Sequence, residues 1–244
     1  HYYFNMASWR GVVLLELFGG MCAGLDMLLR NGVRIERYLY CDSSPVARRV
    51  AQHRVVALSR AYPHLFPPSA YVDAFTELPQ DVWEIEQEHL VNAGAMEDTN
   101  PWLVVAGWEC QDLSIAGSGL GLKGPKSSTF FACMDVIRTL QRIQEGHPPA
   151  YVLENVAMQH NNMSAHVKRD TRVVYALLGE PLTVDAAQFG SYAHRVRNYW
   201  TNLASVSELQ AVVQCVTRVP GRTVDSVLDE GRKAQPVMHA DRAP

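Results

Sequence analysis

With 244 residues, of which 48% are apolar and 19% charged, the chain suits one ordinary domain with a buried core, which excludes disorder. Its formal charge of −3 does not by itself suggest nucleic acid, whose binders usually carry a basic excess. Five scattered cysteines (Cys22, Cys41, Cys110, Cys133 and Cys215) with no C-x-x-C pair argue against a disulfide framework and a metal site, and for a reducing, intracellular compartment.

No apolar run approaches the roughly eighteen residues of a membrane span, so no membrane association is expected. His1 stands first with no signal-peptide pattern behind it, and the chain reads as a piece of something longer. Arginines cluster between Arg34 and Arg60, and basic residues again from Lys168 to Arg197; the first cluster reads as a solvated helix face.

In chain order, "VVLLEL" (Val12–Leu17) is a continuous apolar run ending at glycines, the pattern of a fully buried strand. "CAGLDMLLRNG" has helical spacing and closes at Asn31–Gly32. "VRIERYLYC" alternates and predicts a second strand, ending at Asp42. Ser43–Ser44–Pro45 then opens a helix running to about Arg60, with proline in a permitted first-turn place. A short strand is expected at Tyr71–Asp73 and a helix over Leu78–Val91.

"PWLVVAG" predicts a fourth strand. The apolar spacing of Phe130, Cys133, Met134, Ile137 and Leu140 marks one helix face. "AYVLENV" predicts a fifth strand, Thr171–Leu178 a helix and "VRNYWTNL" a late strand; beyond about Ala204 the pattern weakens. Alternating strands and helices predict an α/β fold, a mostly parallel sheet with helices on both faces. Such sheets bind ligands at the carboxyl ends of their strands, where Glu16, Asp42, Asp73, Cys110 and Glu154 fall.

Taken alone, Cys110 in "VVAGWECQDLSIAG" reads as a small packing residue, the usual fate of cysteine. Yet it lies past the apolar run, where the pattern has turned polar. The glycines of "ELFGGMCAGL" permit close backbone approach to a ligand, although the spacing is not G-x-G-x-x-G. Asp42 stands where a carboxylate would meet a ribose diol, and Asp73 where it would accept from an adenine amino group. Either one alone reads better as a helix cap; together they describe a nucleoside-bearing cofactor.

"LELFGGMCAGL", "GWECQDLS", "LENV" and "HRVRNYW" occur in an order and spacing that resembles the DNA cytosine-5 methyltransferase family. "ECQDLSIAG", "LENVAM…KRD" and "AHRVRNYWTNL" are most similar to its de novo branch. The resemblance covers about Val12 to Leu203 and implies a Rossmann-like fold, S-adenosyl-methionine as cofactor and DNA as partner. It also implies assembly with itself or another methyltransferase chain, and a nuclear location in a eukaryote. Residues 1–203 would form the catalytic domain, and 204–244 the start of a target-recognition region or a truncated tail.

Carried over by position, Phe18, Gly19, Gly20, Met21 and Cys22 would line the cofactor. Asp42 with Ser43 would hold its ribose and Asp73 with Ala74 its adenine, while Gly107 and Phe130 would complete the walls. Cys110 matches the nucleophile, Glu154 and Asn155 the Glu-Asn-Val element, and Arg195 and Arg197 the paired arginines. Glu154, kept protonated by a closed apolar site, would serve cytosine ring nitrogen 3, and Arg197 the cytosine oxygen. The glycine-rich Gly117–Ser128 would be a mobile loop bringing Lys123 or Lys126 to phosphate.

Two departures stand against this pattern. The family has proline before the nucleophile, whereas Glu109 here places a carboxylate beside the thiol, and such a charge disfavours the thiolate. The 47 residues after Arg197 are too few for a full target-recognition region and last motif. Two alternatives follow: an inactive relative that binds DNA or a partner chain, and an RNA cytosine-5 methyltransferase.

Overall fold

The computed structural model describes residues 11–97, 100–114, 117–159, 164–216, 225 and 228–233. Six strands form one sheet: β1 (Val12–Leu17), β2 (Ile35–Cys41), β3 (Trp102–Gly107), β4 (Ala150–Val156), β5 (Leu182–Asp185) and β6 (Val196–Thr201). Their order across the sheet is β2-β1-β3-β4-β6-β5. The pairs β2–β1, β1–β3 and β3–β4 are parallel, while β6 runs antiparallel to both β4 and β5.

Period-2 alternation along β1 builds a core on each face. Val13, Leu15 and Leu17 pack with Val104, Ala106 and Leu153, beneath α4 (Thr129–Ile143) through Phe130, Cys133, Ile137 and Leu140. Val167 and Val174 of α5 (Ala165–Leu178) join the same core. Leu14, Ile35, Tyr38 and Tyr40 face the other way, onto α1 (Ala23–Arg30) and α2 (Pro45–Ala61). This is the expected α/β sheet covered on both faces, made mixed by the reversed β6.

The expected strand at Tyr71–Asp73 is absent; these residues form turns. Val72 is exposed, and this stretch reaches the edge strand through one backbone bond, Tyr40 N–H to the Ala74 carbonyl at 3.0 Å. A three-residue apolar run behind Pro67–Pro68 is too short to hold a ladder. The expected helix over Leu78–Val91 is broken as well. Asp81 caps a single 3-10 turn at Val82–Glu84, Ile85 is extended, and α3 starts only at Gln87 and ends at Asn92. Leu78, Val82 and Leu90 are nonetheless buried, so turns meet the apolar spacing that suggested a helix.

Beyond β6, α6 (Val206–Cys215) opens on a capping box between Ser205 and Glu208. The expected loop or partial second domain from Arg218 to Pro244 lies largely outside the described residues. No helix among the described residues is long and apolar enough to cross a membrane.

Candidate active site

The ends of β1, β2, β3 and β4 and the start of β6 build the site. β1 stops in a turn with left-handed backbone at Phe18 (φ 53°), Gly20 (φ 52°) and Cys22 (φ 60°). Gly19 is required here, because an added Cβ would fall 2.5 Å from the Tyr40 ring. The turn is tied to the end of β2 by Asp42, whose carboxylate accepts from Gly20 N–H (2.9 Å) and Ser44 N–H (2.8 Å). The Tyr40 hydroxyl donates to the Gly20 carbonyl at 2.8 Å.

Glu16, expected at the ligand-binding end of the sheet but given no role there, lies beneath this turn. It is 3% exposed, and its carboxyl accepts from Gly24 N–H (2.8 Å) and the Tyr38 hydroxyl (2.8 Å). Burial pushes its carboxyl up to about 7, against the pull of these donors. Glu16 therefore fixes the start of α1 behind the glycine turn.

A groove of about 710 Å³ opens beside this region, lined by Ser43, Arg48, Phe75, Thr76 and Leu78 among others. That volume suits a small-molecule site. Of the residues expected at a cofactor, Met21 is 55% exposed, Asp42 is part-buried, Asp73 is exposed and Ala74 is buried. Phe18 packs against the larger core. Cys22 and Phe130 are fully buried, the Cys22 thiol being pushed by burial up to about 12, so either one borders a ligand only as backbone or wall.

β3 ends at Gly107, paired in register with Glu154 of β4. A Cβ at Gly107 would stand 3.0 Å from Glu154 Oε2, so a side chain there would crowd the carboxylate. The chain then dips: Trp108 is buried against Phe130 and Trp200 (ring centroids at 5.1 and 5.6 Å). Asn155 donates from Nδ2 to the Trp108 carbonyl at 2.8 Å and so fastens the Cys110 segment to the end of β4. Cys110 itself is half-buried at the head of a turn whose Leu113 and Ser114 N–H groups bond to its carbonyl. Packing in the core is not what this thiol does.

The glycine-rich stretch after Cys110, expected to be a mobile loop, is tied at several points by hydrogen bonds. Asp112, 4% exposed, accepts from the Ser118 hydroxyl (2.6 Å) and from Lys126 and Ser127 N–H (2.9 Å each). Burial acts against its charge, but these donors outweigh it and hold the carboxyl below the usual range. Ser127 Oγ donates to the Glu109 carbonyl (2.9 Å), and Asp170 accepts from Leu122 N–H (2.7 Å). Ile115 and Ala116 lie outside the described residues. Lys126 Nζ stands 3.4 Å from Glu109 Oε1, so the carboxylate beside the thiol has a cation of its own.

β6 brings the arginines. Arg197 Nε lies 2.9 Å from Glu154 Oε1, and Arg195 reaches the same oxygen at 4.0 Å. Glu154 is thus ion-paired and 29% exposed, not enclosed by an apolar site as expected. Tyr199, directly opposite Glu154 in the β4–β6 register, shares its face; burial and then the Glu154 charge raise its hydroxyl above the usual value. The alternation of "VRNYW" put Tyr199 with Arg197, but nothing in the sequence set it against Glu154.

All five cysteines are free thiols, and no cluster of three or more metal-ligating side chains occurs among the described residues.

A family model described as C-5 cytosine-specific DNA methylase matches residues 78–210, which contain Cys110, Glu154, Asn155, Arg195 and Arg197. In sequence the chain is 39% identical over 54 residues to the Type II methyltransferase M.NgoBI of Neisseria gonorrhoeae, a stretch covering 22% of this chain and 15% of that one. In structure it is similar to the Dnmt2 methyltransferase of S. pombe, with a TM-score of 0.54 at 15% identity over 92% of this chain and 62% of that one. A DNMT2 mutant of Spodoptera frugiperda superposes with a TM-score of 0.49 at 16% identity, over 92% and 61% of the two chains. At such identities the structural likeness speaks for the fold alone, and the chain spans less than two thirds of the length of these relatives.

Proposed function

Since the chain belongs to the C-5 cytosine-specific DNA methylase family, we propose that it methylates carbon-5 of a cytosine flipped out of DNA, with Cys110 as nucleophile. The observation that carries this reading is the meeting of three strand ends. The Cys110 segment, the Glu154 carboxylate and the Arg197 guanidinium stand together at the ends of β3, β4 and the start of β6.

The chemistry accounts for each group. Carbon-5 of cytosine is a poor nucleophile, and a thiolate adding to carbon-6 is the side chain best able to activate it. As the sulfur–carbon bond forms, the carbon-5–carbon-6 π pair shifts into the ring, and charge grows on carbon-5, on ring nitrogen 3 and on the carbonyl oxygen at carbon-2. Glu154 faces that edge, accepting from the exocyclic amine or passing a proton to nitrogen 3, while Arg197 meets the oxygen. S-adenosyl-methionine, when bound, supplies the methyl group on a sulfonium. Carbon-5 takes the methyl and the donor sulfur leaves as a neutral thioether; a base then removes the carbon-5 proton, nitrogen 3 gives back any proton it took, and the carbon–sulfur bond breaks to return the Cys110 thiolate and an aromatic ring. Because the target base is stacked inside a duplex, it must leave the helix first.

The donor set suits that cofactor. Phe18, Gly19, Gly20, Met21 and Cys22 on the β1 turn would bound its methionine end, with Gly107 and Phe130 as walls. The Asp42 carboxylate spends two acceptor sites on backbone N–H groups and keeps others for a ribose diol. The groove is lined by Ser43 and Phe75, the chain neighbours of Asp42 and Ala74, although Asp42, Asp73 and Ala74 themselves do not line it.

Incubation with methyl-labelled cofactor and either DNA or transfer RNA tests the reading. Label in DNA cytosine supports it; label in RNA alone moves the substrate to RNA. Glu109, where the family pattern has proline, favours a second reading as an inactive nucleic-acid binder. Binding without label in either polymer would select it.

A further inference from the structure

We propose that Asp185, which neither the motifs nor the proposed chemistry uses, is a positioning residue for the arginines of the cytosine site. Asp185 ends β5, a four-residue strand at the edge of the sheet. The chain then leaves the sheet through a 3-10 turn at Ala186–Phe189 and the left-handed Gly190 (φ 89°), and returns as β6 at Val196. No residue from 186 to 195 is buried, so no apolar core dictates where the chain returns. Polar bonds must do it.

The Asp185 carboxylate supplies them from one point. Its Oδ1 accepts from Ala187 N–H (3.0 Å) and from Arg195 N–H (2.9 Å), while Oδ2 lies 2.7 Å from His194 Nδ1. A carboxylate only accepts, so Nδ1 of His194 carries the hydrogen. Hydrogen bonds from His194 and from the Ala187 and Arg195 amides hold the Asp185 carboxyl down to about 2, in keeping with a group that stays charged. A backbone bond from Ala186 N–H to the Arg195 carbonyl (3.1 Å) closes the same ring of chain.

The clamp therefore grips Arg195 by its backbone, one residue before β6 and two before Arg197. Both guanidiniums converge on one oxygen of Glu154 from there, at 4.0 and 2.9 Å. The Arg195 side chain is 62% exposed, so burial does little to hold it in place. Freeing its backbone would move the guanidinium relative to Glu154, and misplacement of about 1 Å is costly in a reacting geometry.

The inference rests on the cytosine-methylation reading, and its test separates the two. Methyl transfer is measured for the parent, D185A, R195A and the double variant, with S-adenosyl-homocysteine binding as a check on folding. D185A should lower kcat about ten-fold, the equivalent of about 1.4 kcal/mol, with cofactor affinity unchanged. In the R195A background the same change should cost much less, because residues acting through one another are not additive. D185N keeps an oxygen for both backbone amides and should retain most activity, with slow hydrogen exchange at Arg195 N–H.

Full activity in D185A, or losses that add independently with those of R195A, overturns the role of Asp185 alone. A parent that transfers no methyl overturns it together with the methylation reading. Should D185A not fold, D185N decides. Normal activity with a freely exchanging Arg195 amide, or lost activity with that amide still protected, overturns the clamp.

Discussion

Arg197 Nε lies 2.9 Å from Oε1 of Glu154, across the antiparallel pair that joins β4 to β6. The two side chains proposed to meet a cytosine ring thus hold each other before any base arrives. Arg197 is 18% exposed and its partner 29%, so water screens the pair only in part. Removing Arg197 would leave a half-buried carboxylate with only the exposed Arg195, at 4.0 Å, as its cation. We expect Arg197→Ala to reduce kcat about a hundred-fold or more, the scale of a lost oxyanion donor. Arg197→Lys should restore little, because a point charge does not reproduce a planar fork.

Glu154 separates charge from shape. Glu154→Gln keeps the size and supplies a donor for ring nitrogen 3, so it should retain more turnover than Glu154→Ala. Equal, small losses in both variants would place Glu154 outside the reacting region.

For the cofactor, calorimetry with S-adenosyl-homocysteine should show Asp73→Ala weakening affinity by about 1–3 kcal/mol, the cost of losing a hydrogen bond to a charged acceptor. Asp42→Ala should do more than weaken binding. Asp42 also fastens Gly20 to Ser44, so this variant should loosen the glycine turn and lower thermal stability as well. Unchanged affinity in both variants would remove the nucleoside from this end of the sheet.

Glu16 yields a stability prediction free of any ligand. Its native carboxyl titrates near 7, well above the unfolded value of about 4.3. Between those values the native state binds more protons than the unfolded chain, so stability falls as pH climbs through this window and levels off above it. The full effect is about 4 kcal/mol. Glu16→Gln, which can still accept from Gly24 N–H, should match the parent near pH 4 and exceed it at pH 8 in urea unfolding. A constant difference between the two proteins across that range would contradict the assignment.

The Glu109–Lys126 pair decides how harmful the missing proline is. Both side chains are substantially exposed, and such pairs contribute about 0–1 kcal/mol. Glu109→Gln should therefore change the rate of attack by Cys110 by no more than about five-fold. Lys126→Ala, which uncovers the Glu109 charge, should slow it, and the double variant should recover. A large gain in Glu109→Gln alone would show that Lys126 does not neutralise the carboxylate.

Much of the site was legible because strand ends are legible. Val12–Leu17, "PWLVVAG" and "AYVLENV" are unbroken apolar runs, and their polar successors necessarily gather at one end of a parallel sheet. What escaped were relations made by pairing across the chain. The β5 strand has four residues behind Pro181, too few to show alternation, so Asp185 had no visible context. Ion pairing of Glu154 with Arg197 depends on the reversed β6, which strand–helix alternation does not foretell. The loop after Cys110 looked mobile for its glycines, whereas its anchors, Asp112 and Asp170, lie outside it in sequence.

The central claim is that the Cys110 thiol attacks carbon-6 of a flipped cytosine, and substrate containing 5-fluorocytosine tests it most directly. Fluorine at carbon-5 cannot leave as a proton, so after methyl transfer the enzyme remains joined to the base through sulfur. The account predicts a covalent protein–nucleic acid adduct that survives denaturation, requires S-adenosyl-methionine and disappears in Cys110→Ala while cofactor binding persists. A parent chain that binds cofactor and nucleic acid but forms no adduct, or a Cys110→Ala variant that still forms one, would contradict it.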